Sequence, residues 1–139
     1  MTIRPMTMAD YDGAYALWNA CLASQRDMDD SPEAIERFLR RNPGMSVIAL
    51  DEGHVIGSIL CGHDGRRGYL YHVAVDAAHR RDGIASEMVK ACLAALRAEG
   101  LSKCALISFT NNGAGNAFWR AMGFQAREDF YYRDRGLLE

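Results

Sequence analysis

The chain has 139 residues, a length typical of one domain with one hydrophobic core. Its formal net charge is −2, with 49% hydrophobic and 24% charged residues, so nothing draws it globally to nucleic acid or to a membrane surface. No apolar run is long enough to cross a bilayer, and the N-terminus lacks a signal-peptide layout, so we expect a cytoplasmic protein. Four scattered cysteines without a C-x-x-C pair favour reduced thiols over a disulfide or a metal site.

The first third of the chain predicts one strand followed by two helices. Residues 3–6 are the strand. A capping box at Thr7 then begins a helix, whose apolar side chains recur at helical spacing as far as Leu22. Ser31, followed by a proline and a glutamate, begins the second helix, and residues 42–44 (Asn-Pro-Gly) end it.

The middle of the chain predicts three strands and a long helix. Residues 45–50 and 55–61 are strands joined by a hairpin turn, and residues 69–75 are the next strand. A short turn then leads into a helix with buried positions from Ile84 to Leu96, which a glycine at position 100 ends.

The last third predicts a strand over residues 103–109, a helix over 112–122 and a final strand over 125–132. The predicted order is therefore β-α-α-β-β-β-α-β-α-β, with hairpins before a single β-α-β crossover. This order favours an α/β protein of the α+β kind, with a mixed, mostly antiparallel sheet and helices on both faces.

The turn over residues 80–85 (Arg-Arg-Asp-Gly-Ile-Ala) is the strongest functional signal. It lies between a strand and a helix N-terminus, where unpaired backbone N–H groups and the helix dipole favour an anion. Gly83 allows the backbone to approach a ligand closely, and Arg80 and Arg81 add charge that suits phosphate oxygens. The turn therefore predicts a pyrophosphate site.

Two motifs carry a resemblance to a known family. The turn has the spacing R-x-x-G-x-A, and residues 112–124 read N-x-x-x-N-A-F-W-R-A-M-G-F. The first resembles the acyl-CoA signature Q/R-x-x-G-x-G/A of the GNAT superfamily of N-acetyltransferases, and the second resembles that superfamily's asparagine-led helix. Together with the flanking elements, the resemblance covers nearly the whole chain, as a small bacterial-type member with a single N-acetyltransferase domain over residues 1–139.

The resemblance implies a sheet that splays open between two parallel strands, the one before the anion turn and the one after the next helix. It also implies acetyl-CoA as acyl donor, with the pantetheine arm in that split, and no metal. Backbone groups of residues 73–75 would pair with the pantetheine amides like an added strand, and one of their N–H groups would polarise the thioester carbonyl. The cofactor-binding residues implied are Val73, Ala74, Val75, Arg80, Arg81, Asp82, Gly83, Ile84, Ala85, Ser86, Asn112, Asn116 and Trp119.

Acetyl transfer to an amine requires a neutral amine. Deprotonation at pH 7 costs about 4.6 kcal/mol for a lysine-like amine and about 1 kcal/mol for an α-amine. The candidate bases are His72, His63, Asp64 and the acidic loop Asp27, Asp29 and Asp30. His72 is the best catalytic candidate, because it lies on the strand that should face the acetyl group and histidine titrates near neutral pH. The alternative for His72 is a structural strand histidine paired with a neighbouring group. The acidic loop either attracts a cationic amine to the mouth of the cleft or is a solvated loop before a helix.

Trp119 departs from the family pattern. Many members have a tyrosine here, proposed as the acid that protonates the departing sulfur, whereas an indole can only donate a hydrogen bond. A thiol of ordinary acidity leaves as thiolate near neutral pH, so the change is compatible with an active enzyme. It also favours the alternative function, a non-catalytic acyl-CoA-binding regulatory module.

The leading interpretation is an acetyl-CoA-dependent N-acetyltransferase whose acceptor is a primary amine of a small molecule or of a peptide or protein. Nucleic acid and membrane are not expected partners. Arg40 and Arg41 favour a solvated surface, while Arg66 and Arg67 either gate an acidic substrate or have no specific role. Dimers are frequent in this superfamily, so a homodimer is one state to consider, although the sequence has no interface signature.

Overall fold

The computed structural model describes residues 1–22 and 28–138, which form two compact units over residues 1–107 and 108–138. The first unit contains strands β1 (Thr2–Pro5), β2 (Val47–Asp51), β3 (His54–His63), β4 (Gly68–Val75) and β5 (Cys104–Ala105). Its helices are α1 (Tyr11–Leu22), α2 (Pro32–Arg41) and α3 (Ile84–Ala98), with 3₁₀ turns at Met8–Asp10 and Ala77–His79. The second unit contains α4 (Gly113–Ala121).

The sheet of the first unit has the order β1-β2-β3-β4-β5. The first four strands are antiparallel, and β5 is parallel to β4. The register of β4 and β5 covers only Gly68–Cys104 and Tyr69–Ala105, so the described residues provide no further pairing along that edge of β4. The predicted fold class, a mixed and mostly antiparallel sheet that splays between two parallel strands, is confirmed.

Helices pack on both faces of the sheet because alternate residues of β3 point to opposite sides. On one side, Trp18 of α1 is fully buried and its indole N–H donates to Ser58 Oγ at 2.9 Å. On the other side α3 approaches very closely, since a Cβ built on Gly68 would lie 2.6 Å from a methyl carbon of Leu96. The hydrophobic core that contains Trp18 also includes buried residues of α1, α2 and the sheet, namely Ala14, Leu17, Ile35, Ile48, Leu60 and Ala74.

Two of the predicted strands differ from the structure. The strand predicted over residues 103–109 is reduced to Cys104–Ala105, and the strand predicted over 125–132 is absent, since those residues have no regular structure. A strand needs a neighbour to satisfy its backbone N–H and C=O groups, and no described strand pairs with residues 125–132. Tyr131 in that segment is 87% exposed, so its aromatic side chain is not held on a core.

All four cysteines, Cys21, Cys61, Cys92 and Cys104, are free thiols. None of the helices in residues 1–22 and 28–138 is long and apolar enough to cross a membrane.

Candidate active site

The anion turn lies where β4 leads, through the 3₁₀ turn Ala77–His79, into α3. Gly83 is the N-cap of α3 and has φ +79°, a left-handed conformation that glycine adopts without strain. The first hydrogen bond of the helix runs from Glu87 N–H to Gly83 O at 3.1 Å, so the preceding amides lie outside the helical ladder. The predicted helix N-terminus is therefore present, with the amides of residues 83–86 outside the helical ladder.

The turn has room for an anionic ligand. A Cβ built on Gly83 would meet no protein atom within 4 Å, and Arg81, Asp82 and Gly83 are exposed. Arg80 is anchored, because its Nε donates to Val75 O at 3.1 Å at the end of β4. This set of backbone donors, guanidinium groups and open space suits a diphosphate.

His79 ties the start of this turn to the end of β2, a contact that sequence reasoning missed. Its Nδ1 lies 3.1 Å from Asp76 Oδ2 and its Nε2 lies 3.2 Å from Asp51 Oδ2. The hydrogen bonds to Asp76 and Asp51 raise the pKa of His79. Protonation therefore strengthens the bridge, whose contribution to stability is present at low pH and is lost as the pH rises through that raised pKa.

His72 lies in a β-bulge of β4. Ser58 pairs with Ala74 and Leu60 pairs with Tyr71, so two residues of β4, His72 and Val73, lie opposite one residue of β3. His72 has φ +51°, a left-handed conformation that costs a non-glycine residue about 1–2 kcal/mol. Strain of this kind persists only where the surrounding structure enforces it, and it is concentrated at functional sites.

Two side chains contact the imidazole ring of His72, and a third holds its backbone carbonyl. Its Nε2 lies 2.9 Å from both carboxylate oxygens of Asp30, and the side chains of His72 and Asp30 are only 11% and 6% exposed. Trp18 packs edge-on against the ring, with centroids 4.9 Å apart. Ser58 Oγ, which accepts from Trp18, donates to the carbonyl of His72 at 3.2 Å. The ring is thus held in one orientation by α1, β3 and the segment before α2.

This pairing determines the tautomer of His72. A carboxylate only accepts hydrogen bonds, so Nε2 carries the proton and the neutral ring has its lone pair on Nδ1. Nδ1 has no hydrogen-bond partner among the described residues. A histidine oriented by a carboxylate, with the other nitrogen unprotonated, is the arrangement of a general base.

The remaining candidate bases have structural roles. Asp64 Oδ1 accepts the backbone N–H groups of Arg67 and Arg66, which lower the pKa of that carboxyl and make it a poor base. The Nδ1 of His63 accepts from Gly65 N–H at 2.9 Å, in the same turn. Asp29 is exposed and accepts from the Ser31 N–H, whereas Asp30 is buried, so the expectation of a solvated loop is wrong for Asp30. Asp27 lies outside the described residues.

A cleft of about 830 Å³ lies between α2 and β4 in the first unit, and we call it the α2–β4 cleft. The His72–Asp30 pair is part of its wall. Its apolar wall contains Ile35, Phe38, Leu60 and Tyr71, and its charged wall contains Asp29, Arg37, Arg40 and Arg41. Its volume is in the range of small-molecule sites. Sequence reasoning placed Arg40 and Arg41 on a solvated surface; both are exposed, but they also line this cleft.

The other predicted cofactor residues of the first unit form one continuous stretch of chain. Val73, Ala74 and Val75 are the last residues of β4, beyond the point where its pairing with β5 ends. Arg80 to Gly83 form the turn. Ile84, Ala85 and Ser86 are the first residues of α3, with the Ile84 side chain buried in the core.

Asn112, Asn116 and Trp119 belong to the second unit. Asn112 is the N-cap of α4, and its Oδ1 accepts from Gly115 N–H at 3.2 Å. Asn116 donates to Phe109 O at 2.9 Å and accepts from Ser108 Oγ at 2.7 Å, which holds the segment before the helix. Trp119 packs edge-on against Phe118 and Phe124, with ring centroids 5.0 and 5.3 Å away.

Comparisons with known proteins show which family and which fold the chain resembles. Acetyltransferase SG1711 from Sodalis glossinidius is 29% identical to this chain, in an alignment that covers all of this chain and 97% of the relative. Acetyltransferase ECA0875 from Pectobacterium atrosepticum is 32% identical, in an alignment that covers 82% of this chain and 80% of the relative. Among solved structures, the aminoglycoside N-acetyltransferase AAC(6')-Iy in complex with CoA superposes with a TM-score of 0.78 at 20% identity, over 97% of this chain and 95% of the other.

The last comparison, at that identity, concerns the fold alone. The sequence profile of the Acetyltransferase (GNAT) family matches residues 11–124, which include β4, the anion turn and α4. That match covers most of the chain and contains both motifs on which the resemblance rested. The chain therefore belongs to the GNAT family and is an acetyltransferase of GNAT type.

Proposed function

We propose that the chain transfers the acetyl group of acetyl-CoA directly to a primary amine that binds in the α2–β4 cleft. The observation that carries this proposal is the His72–Asp30 pair, which is held on a strained bulge of β4 and lines that cleft. It supplies the component that amine acetylation needs most, a positioned base with its lone pair on one known nitrogen. That a solved relative in fold is a complex with CoA supports the choice of donor.

Different groups along β4 and α3 bind different parts of the donor. The backbone amides at residues 81–86, with Arg80 and Arg81, bind the diphosphate of the donor. The backbone of residues 73–75, beyond the end of the β5 pairing, binds the pantetheine amides as an added strand would. One N–H of that stretch donates to the thioester oxygen, where negative charge develops.

Bound acetyl-CoA supplies the acetyl group, whose C–S bond breaks as the C–N bond to the amine forms. His72 Nδ1 takes the proton that the amine loses, and Asp30 stabilises the imidazolium through the Nε2 hydrogen bond. For a lysine-like amine the neutral form costs about 4.6 kcal/mol at pH 7, so a base positioned to accept the proton matters most for that class of amine. The sulfur leaves as thiolate, so no acid is required at the position of Trp119.

The experiment is a continuous assay of CoA thiol release with a panel of primary amines, each compared with a reaction without amine. Release that depends on one of these amines and saturates with it supports the proposal. Saturable acetyl-CoA binding with amine-independent background release for every class of amine would favour the alternative, a non-catalytic acyl-CoA-binding module.

Asn112 offers a test of the second motif. Asn112→Asp keeps an oxygen that caps α4 but removes the side-chain amide donor. We expect weaker acetyl-CoA binding by isothermal titration calorimetry at an unchanged melting temperature, because the family's asparagine contacts the pantetheine arm through that donor. A wild-type dissociation constant would leave Asn112 with only its observed role as a helix cap.

Trp119 offers a test of the leaving group. Trp119→Phe reduces the aromatic area and leaves a small cavity beside Phe118 and Phe124, so acetyl-CoA binding should weaken. The rate of the chemical step in single-turnover experiments should stay within about tenfold, since no proton donor is removed. A fall of more than about 10³ with intact binding would mean that the indole N–H acts in the transition state.

A further inference from the structure

The charges of the α2–β4 cleft contain information about the acceptor. The described residues of its wall include two carboxylates, both with hydrogen-bond partners, since Asp30 binds His72 and Asp29 accepts from Ser31 N–H. The Ser31 hydrogen bonds lower the pKa of Asp29, and the charge of nearby Arg37 lowers it further, so Arg37 is partly compensated. The described residues of the wall have these two aspartates against three arginines, Arg37, Arg40 and Arg41, so their net charge is positive.

Arg40 and Arg41 supply that positive charge. Arg40 has only a distant ion pair with Glu36, at 3.9 Å, and both of these side chains are more than half exposed. Such surface pairs contribute little and release their partners readily. Arg41 forms no ion pair with any carboxylate in the described part of the chain.

The geometry of α2 places these charges beside an apolar surface. Phe38 and Arg41 are three residues apart and lie on one side of the helix, and both line the cleft. Tyr71 of β4 continues the apolar wall, and its ring meets that of Phe38 edge-on with centroids 6.1 Å apart. A single ligand can thus contact aromatic rings and guanidinium groups together, with His72 in the same cleft.

We propose that the acceptor is a small amphoteric amine, one that carries an anionic group, a carboxylate or a phosphate, on an apolar body. This inference rests on the proposed function and specifies the substrate class of the same site. The guanidinium groups of Arg40 and Arg41 bind the anionic group, to which their planar forks are suited. Phe38 and Tyr71 pack on the apolar body, and the amine reaches His72. A polycationic amine is disfavoured, because it would bring like charges together.

The test uses acceptors that differ only in the anionic group. Tyramine and O-phosphotyramine share one ring and one amine and differ in a phosphate, and tyrosinamide and tyrosine form the corresponding pair for a carboxylate. Each kcat/KM is divided by the fraction of neutral amine at the assay pH. We expect the anionic member of at least one pair to be preferred about tenfold or more, the effect of one charge-assisted hydrogen bond. The pair that shows the larger ratio identifies the anionic group.

Arginine variants assign the preference to the cleft. Arg40→Gln and Arg41→Gln should reduce the ratio within the preferred pair toward one. Arg66→Gln is the matched control, because Arg66 is an exposed arginine of the turn between β3 and β4 that does not line the cleft. It should leave the ratio as in the wild type.

The outcomes separate this inference from the function on which it rests. Turnover of all four amines with ratios near one would overturn the anionic acceptor and keep the N-acetyltransferase. Loss of the preference in Arg66→Gln but not in the α2 variants would also overturn it. Absence of amine-dependent CoA release with every amine class would overturn both.

Discussion

His72→Gln is expected to lower kcat/KM by about 10²–10⁴, the usual contribution of a positioned general base. Glutamine keeps much of the size and some hydrogen bonding of histidine but does not titrate. The variant should therefore also change the pH dependence of kcat/KM, because its side chain carries no titratable group. Initial rates over pH 5.5 to about 9 with a saturating donor measure both effects.

Asp30→Asn is the matched control for the orientation of His72. It preserves the shape of the buried partner and removes the negative charge that stabilises the imidazolium. We expect a reduced kcat/KM, because the imidazolium that forms when His72 accepts the proton has lost its counter-charge. A pH–rate profile in His72→Gln identical to that of the wild type would eliminate His72 as the base.

Gly83→Val is expected to weaken acetyl-CoA binding by about 100-fold or more, since it places a branched side chain where the diphosphate would accept several charge-assisted hydrogen bonds. A Cβ at Gly83 meets no protein atom within 4 Å, so we expect the steric conflict of the substitution to be with the ligand rather than with the protein. Isothermal titration calorimetry with acetyl-CoA measures the loss.

Gly100→Val separates that obstruction from backbone strain. Gly83 and Gly100 have φ values of +79° and +83°, and neither Cβ would meet a neighbour, so valine imposes a similar conformational cost at both. Gly100 follows the C-terminal end of α3, away from its N-terminal amides. We expect similar falls in melting temperature but wild-type binding in Gly100→Val. Equal binding losses in both variants would attribute the effect to strain and remove the anion site from this turn.

Local sequence signals predicted most of the fold because they act over a few residues. The capping box at Thr7, the proline after Ser31 and the glycine at position 83 each determine a helix start through their own backbone preferences. The failures are the strands predicted over residues 103–109 and 125–132, of which only Cys104–Ala105 is a strand in the structure. Whether such a segment pairs depends on a partner strand, which is distant in sequence.

In the candidate site too, the part formed by one short segment was predictable from the sequence and the part formed by distant residues was not. The anion turn was predictable, because one short segment contains its glycine, its arginines and its helix N-terminus. The partnership of His72 with Asp30 was not, because 42 residues separate them and an aspartate in a polar loop is ordinarily solvated. The bulge at His72 was likewise not predictable, because no glycine in the sequence marks its left-handed position. Trp18 and Ser58 were also missed as parts of the site, since helical spacing indicated only a packed helix face for Trp18 and nothing distinguished Ser58 within its strand.

The most direct test of the central claim is the stoichiometry of the reaction. With acetyl-CoA and an amine that stimulates CoA release, mass spectrometry quantifies the acetylated amine while a thiol assay quantifies free CoA. The account predicts one acetylated amine for each CoA released, in amounts that fall together in His72→Gln. CoA release without acetylated amine, or binding of acetyl-CoA without either product across all amine classes, would contradict it.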